Sequence, residues 1–98
     1  MLFKDIEIKD FKGSLQNRAL IIDIRDKESY SKSNIPNAIN YNSKDIMNLV
    51  EQKEKSIDIV IYCYHGNSSR KVAAFLSENG FKNVYSLIGG FSAWKEVR

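Results

Sequence analysis

The sequence predicts an α/β fold with a mostly parallel central sheet and helices on both of its faces. Two observations carry that prediction. Ala19-Leu20-Ile21-Ile22-Asp23-Ile24 and Ile57-Asp58-Ile59-Val60-Ile61-Tyr62 are near-continuous apolar runs of strand length, the pattern of strands buried on both sides in a parallel sheet. Helical segments alternate with the strands, so right-handed crossovers between parallel neighbours are expected.

Taken in order, Ile6-Glu7-Ile8 alternates as a short edge strand does. Residues 10–17 are ambiguous, because Gly13 weakens a helix by about 1 kcal/mol relative to Ala. Residues 19–24 form the first buried strand, and Asp26 caps a brief helix through Tyr30. Residues 31–42 are an Asn-rich loop around the only proline, Pro36, with a short strand at Ala38-Ile39-Asn40-Tyr41. Ser43 is the predicted N-cap of a helix through about Lys53, with Ile46, Leu49 and Val50 inward. The strand at 57–62 leads through a loop to a helix over Lys71–Gly80, with Val72, Phe75, Leu76 and Asn79 on one face and Gly80 as a left-handed cap. Val84–Ile88 is the last strand, followed by Gly89-Gly90 and a segment that buries Phe91 and Trp94.

Composition bounds the function. The 98 residues suffice for one domain, expected over residues 1–98, with an ordinary core. At 43% hydrophobic and 28% charged, the chain has the balance of a soluble globular protein. It has neither an apolar run approaching the ~20 residues of a membrane span nor a signal-peptide core. The net charge of +3 comes from lysines scattered among acids, without a basic block, so neither a nucleic-acid nor a membrane partner is expected. The single cysteine cannot close an internal disulfide, which suits a reducing, cytoplasmic setting. One Cys and one His do not make a metal site.

That cysteine opens the most informative stretch, Cys63-Tyr64-His65-Gly66-Asn67-Ser68-Ser69-Arg70, between a buried strand and a helix N-terminus. Unpaired amides and about half a positive charge at a helix start stabilise an anion, and a thiol there ionises more readily. Gly66 permits a positive φ, so that successive amides point inward as an anion-binding nest. Asn67, Ser68 and Ser69 offer donors and N-cap oxygens, and Arg70 supplies a cation. The plain alternative, an inert core thiol, fits poorly with so polar a loop. His65 is either an aid to the thiolate or an exposed imidazole. Tyr64 either shapes the entrance or lies on the surface, and Arg70 either assists an anion or is solvated. Asp23 ends a buried strand, where its carboxylate is expected to accept hydrogen bonds from loop backbone; Arg25 either pairs with an acid or adds positive potential. Ligands of open α/β sheets bind at the carboxyl ends of strands. Asp23-Ile24-Arg25, the cysteine loop and Gly89-Gly90 converge there if their strands are neighbours.

Those three segments, with Gly89-Gly90-Phe91-Ser92-Ala93-Trp94 closing the series, resemble the rhodanese, or thiosulfate sulfurtransferase, family from about Ile6 to Trp94. The loop Cys-Tyr-His-Gly-Asn-Ser-Ser with a basic residue after it is similar to that of the small single-domain bacterial type. The resemblance implies a single rhodanese-like domain in which Cys63 is the nucleophile and becomes a persulfide, without a cofactor. It implies that the backbone of Tyr64 through Ser68 cradles the sulfur and the substrate oxygens. Tyr64, His65, Gly66, Asn67, Ser68, Ser69 and Arg70 form the expected substrate-binding set, with Asp23 and Arg25 in support. The implied donor is a small anion, thiosulfate being typical; the acceptor is cyanide in the test tube, or a thiol or dithiol such as a thioredoxin-like protein. Where many relatives read Gly-His-Ile-Pro-Gly-Ala, this chain reads Ser33-Asn34-Ile35-Pro36-Asn37-Ala38.

Two rival classes share the cysteine. Cys-based phosphatases place five residues between Cys and Arg so that the guanidinium forks around phosphate; here six intervene. A persulfide carrier or a non-catalytic interaction module of the same fold is the other alternative, and both carrier and catalyst need Cys63.

Overall fold

A computed structural model of the chain describes residues 3–97. Five strands form one sheet in the order β1-β5-β4-β2-β3, and every neighbouring pair is parallel. The strands are β1 (Lys4–Ile6), β2 (Leu20–Asp23), β3 (Ile39–Asn40), β4 (Asp58–Tyr62) and β5 (Asn83–Leu87). The helices are α1 (Ile8–Asp10), α2 (Lys27–Lys32), α3 (Ser43–Val50), α4 (Ser68–Glu78) and α5 (Gly90–Glu96).

The two apolar runs become the centre of the sheet, where alternating side chains feed two separate cores. Ile22, Ile59, Ile61 and Val84 pack with Ile46 and Leu49 of α3 and Ala73 and Leu76 of α4 on one face. Ile21, Val60, Tyr62 and Leu87 pack with Phe11, Leu15, Phe91 and Trp94 on the other. Helices therefore cover both faces, as the double-sided burial of the strands demands. Among the described residues no helix is long and apolar enough to cross a membrane.

Several boundaries differ from the sequence expectation for identifiable reasons. The first strand is an edge strand, but it covers Lys4–Ile6, and Ile8 already begins α1. The ambiguous stretch continues α1 as a π turn over Phe11–Leu15, in which the amide of Gln16 donates to the carbonyl of Phe11; Phe11 and Leu15 are buried by it. Helix α3 is capped by Asn42 rather than Ser43, through a reciprocal capping box with Asp45, and ends at Val50. Asp26 caps α2 as expected, accepting from the Ser29 amide. Helix α4 begins at Ser68, three residues before the predicted start, and its buried face is Ser69, Ala73, Leu76 and Ser77. Val72 and Phe75 are only partly buried and Asn79 is exposed. Gly80 has the expected positive φ, 101°.

Candidate active site

Strands β2, β4 and β5 are adjacent and parallel, so their carboxyl ends lie side by side and bring together Asp23–Arg25, the cysteine loop and Gly89-Gly90. The convergence that depended on strand adjacency is present.

The loop is shaped from its outer side by α5. The amides of Phe91 and Ser92, in the first turn of α5, donate to the carbonyls of Cys63 (2.9 Å) and Tyr64 (2.8 Å). With these carbonyls drawn away, amides of the loop turn toward the sulfur: Gly66 N lies 3.1 Å and Ser69 N 3.4 Å from Cys63 Sγ. The approach is so close that a Cβ on Gly90 would stand 2.4 Å from the Cys63 carbonyl oxygen, and one on Gly66 would stand 2.9 Å from Gly89 N. Gly66 also carries φ 99°, which a side chain would strain.

Cys63 itself is 7% exposed. Burial pushes its thiol up, but the Ser69 hydroxyl and the amides of Ser69, Gly66 and Ser68 favour the thiolate and leave its pKa lowered. The Ser69 hydroxyl oxygen is 3.5 Å from Sγ and 2.8 Å from the hydroxyl of Ser86. Asn67 occupies the N-cap position of α4 without a side-chain cap bond, so the capping expected of Asn67, Ser68 or Ser69 is absent; the Ser69 hydroxyl is turned to the sulfur instead.

The other expected residues sit around this bowl. His65, Asn67 and Ser68 are exposed. Tyr64 is 40% exposed, packs edgewise on His65 and Phe91 and accepts from Lys95 Nζ at 2.8 Å, which places it at the rim. Beside the loop lies a cavity of about 370 Å³ lined by Asp5, His65, Gly66, Asn67, Arg70, Ile88 and Gly89. Arg70 reaches its edge, where its guanidinium is paired with Asp5 of β1 (Nε–Oδ1 3.0 Å). A larger hollow of about 790 Å³ lies between α2, β3 and α3, and Cys63 does not line it.

Asp23 and Arg25 form a support at the end of β2. The carboxylate accepts from the Arg25 backbone amide at 2.8 Å and from its guanidinium at 2.7–3.1 Å. The expected bond from loop backbone is thus made by the Arg25 amide, and the Arg25 guanidinium adds an ion pair to it. The guanidinium also donates to the Ser33 carbonyl and lies 4.1 Å from the centre of the Phe91 ring. Sequence reasoning missed Asp5, Ser86 and the way Phe91 serves the loop. Ser86 alone left a signal, as a polar residue inside an otherwise apolar strand.

The sheet, the glycine-lined junction with α5 and the inward amides define an α/β protein that presents one acidified thiol at the carboxyl edge of a parallel sheet. Comparison with known proteins agrees and is more specific. The rhodanese-like domain model matches residues 7–97. The thiosulfate sulfurtransferase GlpE of Coxiella burnetii (strain RSA 331 / Henzerling II) is 41% identical over 96 residues, covering 97% of this chain and 90% of the relative. The GlpE of Shewanella oneidensis is 38% identical, covering 97% and 95%. Among solved structures, a rhodanese-like domain protein from Staphylococcus aureus superposes with a TM-score of 0.80 at 29% identity, over 93% of this chain and 90% of that one. The chain belongs to the rhodanese family, and it is an enzyme, a sulfurtransferase.

Proposed function

We propose that the protein moves sulfane sulfur from thiosulfate to a thiophilic acceptor through a persulfide on Cys63. The supporting observation is the hydrogen-bonded bowl at Sγ, formed by the amides of Gly66 and Ser69, together with the relatives named as thiosulfate sulfurtransferases. In the first half-reaction the Cys63 thiolate attacks the outer sulfur of thiosulfate. The S–S bond of the donor breaks, and sulfite leaves with its electron pair. The outer sulfur of the resulting Cys63–S–S⁻ takes the place vacated by the donor, where donors on the loop stabilise its charge. A thiol or dithiol, or cyanide in the test tube, then attacks that outer sulfur and regenerates the thiolate. The two half-reactions predict ping-pong kinetics.

In this reading the loop from Tyr64 to Ser69 binds the donor, and Arg70 with its Asp5 partner contributes at the rim. A thioredoxin-like dithiol protein and a reducing, cytoplasmic setting fit an enzyme that needs a free thiol. The phosphatase reading is disfavoured because six residues rather than five separate Cys63 from Arg70.

The test is direct. Exposure to thiosulfate adds about 32 Da, one sulfur atom, to the wild-type chain, while Cys63→Ser keeps the fold, takes up no sulfur and has no transferase turnover. Turnover retained by Cys63→Ser would remove the assignment. A stable adduct that no thiol or cyanide discharges would make the protein an acceptor without catalysis.

A further inference from the structure

Ser86 lies in β5, an interior strand between β1 and β4, and is 1% exposed. Its Cα pairs in register with Ile61, and strand alternation puts its side chain on the same face as Val84, beneath α4. A hydroxyl there loses its water and requires a protein partner. Among the described residues that partner is Ser69 Oγ, at 2.8 Å. Ser69 is fully buried as well, and its hydroxyl is the side-chain group at hydrogen-bonding distance from Cys63 Sγ.

We propose that Ser86 is a positioning residue for the nucleophile, acting through Ser69 in a buried chain of two hydroxyls that ends on Cys63 Sγ. The inference rests on the reading of Cys63 as the nucleophile. A thiolate can only accept, so Ser69 O–H turns to the sulfur and the lone pairs of Ser69 accept from Ser86 O–H. With the thiol, the chain runs the other way: S–H donates to Ser69, and Ser69 donates to Ser86. No proton leaves either serine; the two hydroxyls only rotate. Each bond polarises the next in a low-dielectric interior, so the chain strengthens the charged state most and fixes the Ser69 rotamer in both.

Ionisable groups bordering the loop include His65 and Tyr64 in the loop, Arg70 and Lys71 of α4 with Asp5 of β1, the Asp23–Arg25 pair and Lys95 of α5; Tyr62, next to Cys63, lies on the opposite face of the sheet from Ser86, where its hydroxyl accepts from the Ile35 amide. Tyr64 and Lys95 bond each other, Arg70 pairs with Asp5, and Asp23 with Arg25. None of these pairings involves Ser86, so its replacement leaves them in place.

The test uses the whole chain and follows the ultraviolet absorbance of the Cys63 thiolate against pH, with Cys63→Ser as the blank. Ser86→Thr and Ser86→Val have the same shape and differ by a hydroxyl. The Thr variant is expected to titrate as the wild type does, and Val to titrate about half a unit higher. Ser69→Ala is expected to shift the titration by about one unit or more, as loss of a bond to a charged group. In that background Ser86→Val should add nothing. Equal titrations for Thr and Val, or an undiminished Val effect in the Ser69→Ala background, would overturn the proposal. Because the readout needs no sulfur transfer, a failure here is distinct from failure of the persulfide assignment, which the mass shift reports.

Discussion

At the scale of single residues, the chemistry turns on how Cys63 is solvated. Burial alone makes a thiol harder to ionise, and here the inward hydrogen bonds of Ser69, Gly66 and Ser68 outweigh it. Alkylation by iodoacetamide should therefore reach half its maximal rate below the roughly 8.5 of an ordinary cysteine, and move back to that value in denaturant. The sign for stability follows. The folded value lies below the unfolded one, so the thiolate contributes stability above the unfolded value and loses it as pH falls through the folded value. The difference in urea stability between wild type and Cys63→Ser should widen as pH rises across that interval; a constant difference would contradict an acidified thiol. Asn37 illustrates a different single-residue effect. It stands where many relatives have glycine, and it has φ 73°, a region that Asn tolerates and β-branched residues do not. Asn37→Val should cost about 1–2 kcal/mol in denaturant unfolding, whereas Asn37→Gly should stay within about 0.5.

At the scale of elements, the central strands were legible because their apolar runs are near-continuous, rich in β-branched residues and of strand length. What the sequence pattern misplaced lies at the element ends. Ile6 and Ile8 alternate like one strand, but Ile8 packs from a helical turn. Asn42 outcompetes Ser43 as a cap because Asp45 falls at the position that completes a capping box. The loop and its flanking elements were legible as a site from residue types alone. The Ser69–Ser86 contact was not, since it arises only when a helix start is laid over a strand seventeen positions away. The junction of the loop with α5 is similarly a product of assembly. Gly90 leaves room for the Cys63 and Tyr64 carbonyls, and the next two amides bind them. A methyl at that site forces the two backbones apart, in a left-handed conformation with φ 59°. Gly90→Ala is therefore expected to destabilise the protein by about 2–4 kcal/mol. Turnover of the folded enzyme should drop on the order of a hundredfold, because the amides no longer converge on sulfur. Unfolding and steady-state transfer assays measure both, and normal turnover would mean that α5 does not shape the loop.

At the scale of the whole molecule, Arg25 ties together parts that the sequence keeps far apart. Its side chain is 5% exposed and that of Asp23 is fully buried. One guanidinium meets the end of β2 through Asp23, the segment after α2 through the Ser33 carbonyl, and the first turn of α5 through the Phe91 ring. Around it the loop of residues 33–38 is closed by further bonds: Asn34 Nδ2 donates to the Tyr30 carbonyl, Tyr30 O–H to the Ala38 carbonyl, and the Ile35 amide to the Tyr62 hydroxyl. The departures from the family pattern thus lie in a segment with its own anchors. Removing one partner of a buried ion pair strands the other, at a cost of about 3–5 kcal/mol, whereas replacing both by apolar groups is often far milder. Arg25→Met should therefore lower the urea stability by that amount, and Asp23→Leu combined with Arg25→Met should be less damaging than Arg25→Met alone. Arg25→Lys should recover only part of the loss, because an ammonium cannot bind the carboxylate in a fork and lie flat on Phe91 at once. If Arg25→Met costs under about 1 kcal/mol, a range ordinary for single substitutions, the three segments are held by the apolar core and the guanidinium is incidental to their alignment.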